Sequence, residues 1–163
     1  MGAAVLLDTN IIIDWLRSYR RSRAKTHEQA HYSQESKNLF DWALDSQTVL
    51  CICPQTIKEL LQYPHISEQE EKRILELIPA AFVILETTFE IAEIAGLMAR
   101  QSHEYRNHHI EDCYIAATAI AQGLPLYTRN PADYQYVPHV DLVIKVPYMY
   151  DAAATANDDR KKT

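Results

Sequence analysis

Apolar residues in this chain fall into short continuous runs, separated by longer stretches in which they recur every three or four positions. Ala3 to Leu7 is too short and too uniformly apolar for an amphipathic helix, which predicts a strand covered on both faces and hence a parallel sheet. Asp8, Thr9 and Asn10 are turn and N-cap types, and Ile11, Ile12, Ile13, Trp15 and Leu16 begin a helix behind them. Residues 18–33 are polar and basic without sustained periodicity and read as an exposed loop; Gln34 to Leu44 reads as helix. Thr48 to Cys53 predicts a second strand, and Pro54 opens a helix through Leu61 that Pro64 stops. Ser67 and Glu70, spaced as a capping box, start a helix to Ile78, closed by Pro79.

Phe82 to Leu85 predicts strand three. Ile91, Ile94, Ala95 and Met98 mark the longest helix, from Thr88 to about Glu104. A polar bend over His103 to His109 leads into a helix from Ile110 to Gln122, with Gly123 as its stop. Leu124 to Tyr127 and Leu142 to Ile144 make strands four and five, with a turn or short helix over Asn130 to Tyr134 between them. This alternation defines a three-layer α/β/α fold with a mainly parallel central sheet. The expected organisation is one domain over residues 1–147 and a tail over 148–163, which has no apolar pattern and is expected to be disordered.

At 163 residues and 47% hydrophobic the chain can bury an ordinary core. No apolar run approaches a membrane span and the first residues lack a signal-peptide pattern, so a cytoplasmic protein is expected. Cys51, Cys53 and Cys113 have no CxxC spacing and read as buried thiols. Only three glycines are present, which disfavours dinucleotide and P-loop nucleotide binding. A net charge of -6 excludes coating of nucleic acid by bulk electrostatics, so any such contact must be local. Arg17, Arg20, Arg21, Arg23 and Lys25, with no acid between Asp14 and Glu28, offer one such locus or else a solvated loop.

Four acids carry the candidate chemistry. Asp8 follows strand one, at the sheet edge where ligands gather in open α/β folds. Glu59 follows strand two among Ile57, Leu60 and Leu61. Asp112 shares a helix face with Ile115, Ala116 and Ala119, where a carboxylate is costly unless compensated. Asp133 follows strand four. Singly, each has a structural explanation: an N-cap for Asp8, a solvated face for Glu59, helix N-terminal amides for Asp112, and turn chemistry for Asn130 and Asp133. Together they converge on one edge, where like charges either raise their pKa values or require a multivalent cation. Hard oxygen donors suit Mg2+ or Mn2+, and such a cluster suits phosphodiester hydrolysis.

In this order the motifs resemble the PIN-domain nucleases, most closely the VapC-type toxins of VapBC toxin–antitoxin modules. The resemblance rests on Leu6-Leu7-Asp8-Thr9-Asn10, Thr56-Ile57-Lys58-Glu59-Leu60-Leu61, Glu111-Asp112-Cys113-Tyr114-Ile115-Ala116, and Leu126-Tyr127-Thr128-Arg129-Asn130-Pro131-Ala132-Asp133-Tyr134. It implies a Mg2+- or Mn2+-dependent endoribonuclease with an RNA substrate, an antitoxin protein as partner and a homodimeric state. By position, Asp8, Glu59, Asp112 and Asp133 match the catalytic acids, and Thr9, Asn10 and Thr128 match supporting polar positions. Asn130 stands where many relatives carry Asp, and its neutral amide is a weaker metal ligand. The implied mechanism has Asp8 and Asp112 ligating an ion, Asp133 completing the shell, Glu59 positioning or deprotonating a water, and Arg17 and Arg20 steering the phosphate backbone.

Two other classes fit less well. A receiver-like domain lacks an aspartate after strand three, and a DxD phosphatase lacks the second acid after Asp8. Within the PIN-like readings, an RNA-processing nuclease without antitoxin and a catalytically silent RNA- or protein-binding scaffold remain the alternatives. His103, His108 and His109 read as surface histidines, and Tyr134 and Tyr136 as core or interface residues that could also stack on bases.

Overall fold

Alternate residues of the central strands enter opposite cores in the computed structural model, which describes residues 2–20 and 22–154. Strand β1 (Ala4–Leu7) sends Leu6 to one side and Val5 and Leu7 to the other; β2 (Val49–Ile52) divides Cys51 from Leu50 and Ile52 in the same way. This two-sided burial is what a continuously apolar strand requires. Five strands, completed by β3 (Val83–Ile84), β4 (Leu126–Tyr127) and β5 (Ile144–Lys145), pair in the order β3-β2-β1-β4-β5, with every pairing parallel. The observed strands are shorter than the apolar runs that signalled them, and β5 lies a residue or two later than expected.

One layer holds α1 (Thr9–Arg17), α2 (His27–Asp45), α3 (Pro54–Leu61) and α4 (Glu68–Ala81) over Val5, Leu7 and Ile52. The other holds α5 (Phe89–Gln101), α6 (His103–Asn107) and α7 (Ile110–Gln122) over Leu6, Cys51 and Leu126. The three-layer α/β/α expectation therefore holds. Gly123 ends α7 in the left-handed region at φ 62°, as its position suggested. All three cysteines are free and buried.

Four sequence expectations are corrected, the first being that α5 is the longest helix: it has 13 residues and ends at Gln101, whereas α2 has 19. The loop of residues 18–33 ends early, because α2 starts at His27 behind a Thr26 cap whose hydroxyl accepts from the Gln29 N–H at 3.1 Å. Only Ser36 and Ala43 of α2 are buried, so its outer turns carry no apolar period; polar pairs such as Tyr32 with Glu28 and Gln34 with Asn38 (both 3.0 Å) line them instead. Helix α4 runs through Pro79 to Ala81, its exposed last turn absorbing the missing N–H. The bend at His103 is a short helix, capped by the Ser102 hydroxyl.

The chain beyond Pro147 also departs from the expectation of a tail starting at Tyr148. Tyr148 is buried and donates at 2.8 Å to Asp14 Oδ2, and His31 Nε2 lies 2.6 Å from the Met149 carbonyl. The remainder of the expected tail, residues 155–163, lies outside the described residues, as does Arg21. Asp14, which no periodicity singled out, is fully buried and takes Arg129 Nε at 2.6 Å on the same oxygen. Arg129 in turn lies over the Tyr32 ring, 4.1 Å from its centroid. A buried carboxylate needs such partners. Removing one donor with Tyr148→Phe is expected to cost about 1–2 kcal/mol in urea unfolding, with Tyr148→Ala costing more. An unchanged midpoint in both variants would show that this C-terminal contact does not hold the fold.

Candidate active site

The chain order β1-β2-β3 builds the sheet outward to one side, and β4 returns to the other side of β1, so the topological switch lies between β1 and β4. Loops leaving the carboxyl ends of two such strands part there and open a crevice. Asp8 leaves β1 into it and Thr128 leaves β4.

Asp8 is both an N-cap and a site residue. Its backbone is extended (φ -74°, ψ 156°), its Oδ1 accepts from the Thr9 N–H at 2.6 Å, and its Oδ2 accepts from Thr128 Oγ1 at 2.7 Å and Asn10 Nδ2 at 3.1 Å. Asn10 Nδ2 also reaches Thr128 Oγ1 at 3.1 Å, which ties the two strand ends together. Thr9 points to the neighbouring acid, donating from Oγ1 to Glu59 Oε1 at 2.6 Å, with buried Thr56 3.1 Å away. Asp112, in the first turn of α7, takes His109 Nδ1 on Oδ2 at 2.7 Å and the Tyr134 hydroxyl on Oδ1 at 3.3 Å. Asp133, in the 3-10 turn Pro131–Tyr134, joins Asp112 and His109 with ligand atoms all within 4.8 Å of one another.

The structure thus brings Asp8, Thr9, Asn10, Glu59, Asp112, Asp133 and Thr128 to one edge. Asn130 behaves differently: its side chain is exposed, and its backbone N–H donates to Thr128 Oγ1 at 3.0 Å. Arg17 and Arg20 stand outside the acidic cluster, paired with Asp14 at 3.7 Å and Glu70 at 3.4 Å. His109 is corrected from a surface residue to a member of the site, half-buried between Asp112 and the Tyr136 hydroxyl at 3.2 Å, whereas His103 and His108 are exposed. Its spacing carried the signal, since i and i+3 share a helix face. Thr56 escaped notice as a site residue because it looks like an ordinary helix position, and Tyr134, read as a core or interface residue, is buried with its hydroxyl on Asp112.

Burial and mutual repulsion dominate the electrostatics. Asp8 is pushed up to about 6, chiefly by burial and further by the Asp112 charge, against the donation from Thr128. Glu59 is pushed up to about 7 by burial, with Asp112, Asp8 and Glu111 adding to it and the Thr9 hydroxyl opposing. Asp112 is raised by burial and by Asp133, and its His109 contact works the other way. Lys58 does not relieve this crowding, because it pairs with Glu111, whose carboxyl it lowers. Among the described residues no lysine or arginine pairs with Asp8, Glu59, Asp112 or Asp133. A crowded set of hard oxygen donors with no lysine or arginine partner among the described residues suits a divalent metal, and His109, Asp112 and Asp133 bring their ligand atoms within 4.8 Å of one another.

A parallel α/β/α sheet with carboxylates gathered at its switch point defines a domain built around an acidic edge site. The model of the PIN domain family matches residues 5–136, and the chain belongs to that family. Solved structures with the same fold include a toxin–antitoxin complex from Klebsiella pneumoniae (27% identity, 90% of this chain and 99% of that one, TM-score 0.54). FitAcB from Neisseria gonorrhoeae (22% identity, 90% and 99%, TM-score 0.61) and DNA-bound VapBC from Salmonella typhimurium (19%, 91% and 100%, TM-score 0.61) are similar over the same extent. No curated protein matches the chain by sequence.

Raised carboxyl pKa values fix the sign of a pH effect. The unfolded values are near 3.8 for Asp8 and 4.5 for Glu59, and the folded values are about 6 and 7, so between them the folded chain holds protons that the unfolded chain has lost. This contribution is complete below the unfolded values and disappears as the pH rises through the folded ones. Without divalent cations, Glu59→Gln is therefore expected to stabilise the protein by about 1–2 kcal/mol at pH 8 and to leave it nearly unchanged at pH 4. Urea midpoints at the two pH values check this. Equal effects of the substitution at both would contradict the assignment.

Proposed function

We propose that this chain is a Mg2+- or Mn2+-dependent endoribonuclease acting as the toxin of a two-component toxin–antitoxin module. The observation that carries the reading is the convergence of Asp8, Glu59, Asp112 and Asp133, from four separate segments, into a site with elevated carboxyl pKa values and no lysine or arginine partner among the described residues. A divalent ion, when bound, supplies charge stabilisation on phosphate oxygens and a more acidic water. Asp8, Asp112 and Asp133 hold it. The Thr9 N–H, Thr128 and Asn10 fix the orientation of the Asp8 carboxylate, so ligation does not begin from a freely rotating acid.

Glu59 is the proton acceptor for the attacking water. The Thr9 hydroxyl, donating at 2.6 Å to Oε1, aims the Glu59 carboxylate. His109 and Tyr134 position Asp112 from either side. The likeness to the VapBC and FitAB complexes supports an antitoxin protein as partner, and the family resemblance supports a homodimer working in the cytoplasm on RNA.

Replacing Asp8 by Asn is expected to lower RNA cleavage in Mg2+ or Mn2+ by a hundredfold or more, on the order of the several kcal/mol that metal ligation supplies. Wild-type expression is expected to arrest growth, with rescue by Asp8→Asn and by co-expression of a small DNA-binding protein encoded beside it. Cleavage by Asp8→Asn at the wild-type rate would overturn the catalytic assignment. Growth unaffected by an active enzyme would instead favour an RNA-processing nuclease, and absence of both cleavage and Mn2+ binding a silent scaffold.

A further inference from the structure

A cavity of about 290 Å3 between the end of α1, the connection after it and the outer face of α2 is lined by Arg17, Arg20, Arg23, Lys25 and Lys37 and by no acid. We propose that this basic gully is a phosphate-binding track that holds single-stranded RNA beside the acidic site. The proposal rests on the ribonuclease reading and adds to it where the strand lies. Arg23, Lys25 and Lys37 form no ion pair among the described residues. Arg17 has only Asp14, at 3.7 Å, and that carboxylate is fully buried and already holds Arg129 and Tyr148. In a chain of net charge -6, such a concentration of unpaired cations is a local exception.

Two features select RNA over an acidic protein segment. The first is continuity with the site. Arg129 and Arg17 share Asp14, and the Arg129 backbone N–H donates at 3.3 Å to Asn10 Oδ1, the residue whose amide touches Asp8. Contacts through Asn10, Arg129 and Asp14 therefore connect Asp8 to Arg17 at the mouth of the gully, which sets the gully on the same side of α1 as the acids. The second is the lining. Its only apolar members are Ala24 and Ala30, which offer no anchor pocket of the kind a bound peptide fills. The remainder are serines and glutamines, whose hydroxyls and amides donate to phosphate oxygens.

The test uses the full chain carrying Asp8→Asn, without divalent ions, so that binding is read without cleavage. Anisotropy of a labelled single-stranded RNA of mixed sequence is followed across a salt series. Adding Arg23→Gln, Lys25→Gln and Lys37→Gln is expected to weaken binding about tenfold and to make the log–log salt slope shallower by about 2. The exposed Lys72→Gln is expected to change neither. In the parent with Asp8 intact, the triple substitution is expected to raise KM for the long RNA about tenfold, to leave kcat within about twofold, and to leave cleavage of a trinucleotide unaltered. All three positions are exposed on the surface, and retention of the unfolding midpoint verifies the fold. Unchanged affinity and slope in the triple variant would overturn the proposal, as would polyglutamate binding the gully more tightly than RNA. Lack of cleavage by the wild-type chain would count against the ribonuclease reading alone, because the binding arms decide the track without it.

Discussion

Everything at the carboxyl edge of this sheet depends on one constraint: several carboxylates occupy a space too small and too dry for their charges. The topology causes the crowding, because the strand ends that part at the switch point between β1 and β4 deliver Asp8 and Thr128 together, while α3 and α7 bring Glu59 and Asp112 to the same opening. The groups that hold these acids are hydroxyls, an amide and backbone N–H groups, with a histidine at Asp112. Such donors orient a carboxylate and leave most of its charge uncompensated. The fold thereby keeps a demand for a cation, which is what an acidic metal site requires and what a site selected for stability alone would remove.

Helix α1 shows the contrast within nine residues. Asp8 at its start has neutral donors and an elevated pKa, with other acids as neighbours. Asp14, two turns on and completely buried, has Arg129 at 2.6 Å, Tyr148 at 2.8 Å and Arg17 at 3.7 Å. Burial still raises its pKa, but cation and phenol both oppose that rise. The second arrangement belongs to the fold: it joins α1 to the loop after β4 and to Tyr148 of the C-terminal segment. It also bears on the site, since Arg129 follows Thr128 directly and its N–H meets Asn10. Rigid attachment of that loop limits how far Thr128 can move from Asp8.

Much of this was legible in the sequence, for reasons that differ by element. Buried strands announced themselves as apolar runs, and Pro54, Ser67 and Gly123 marked helix ends through their own chemistry. Asp8, Glu59, Asp112 and Asp133 were readable because a carboxylate beside apolar neighbours, or just past a strand, asks for an explanation. The first turns of α2 were not readable, because a helix with almost no buried face has no period to detect. Asp14 and Tyr148 were missed because their partnership spans most of the chain. His109 was available to helical spacing with Asp112, yet its setting in a polar bend favoured a solvated reading. Within the PIN family to which the chain belongs, these departures concern how the acids are supported and leave their order along the chain intact.

The central claim, that repulsion among these acids is relieved by a bound cation, is tested most directly by counting protons. Calorimetric titration of Mn2+ into the full chain at about pH 6.5, in two buffers of different ionisation enthalpy, reads the protons released on binding. Release of up to about one proton per ion is expected, because Asp8 at about 6 and Glu59 at about 7 together hold roughly one proton at that pH and lose it beside the ion. Binding whose heat is independent of the buffer, or the same proton release from a chain carrying both Asp8→Asn and Asp112→Asn, would contradict it.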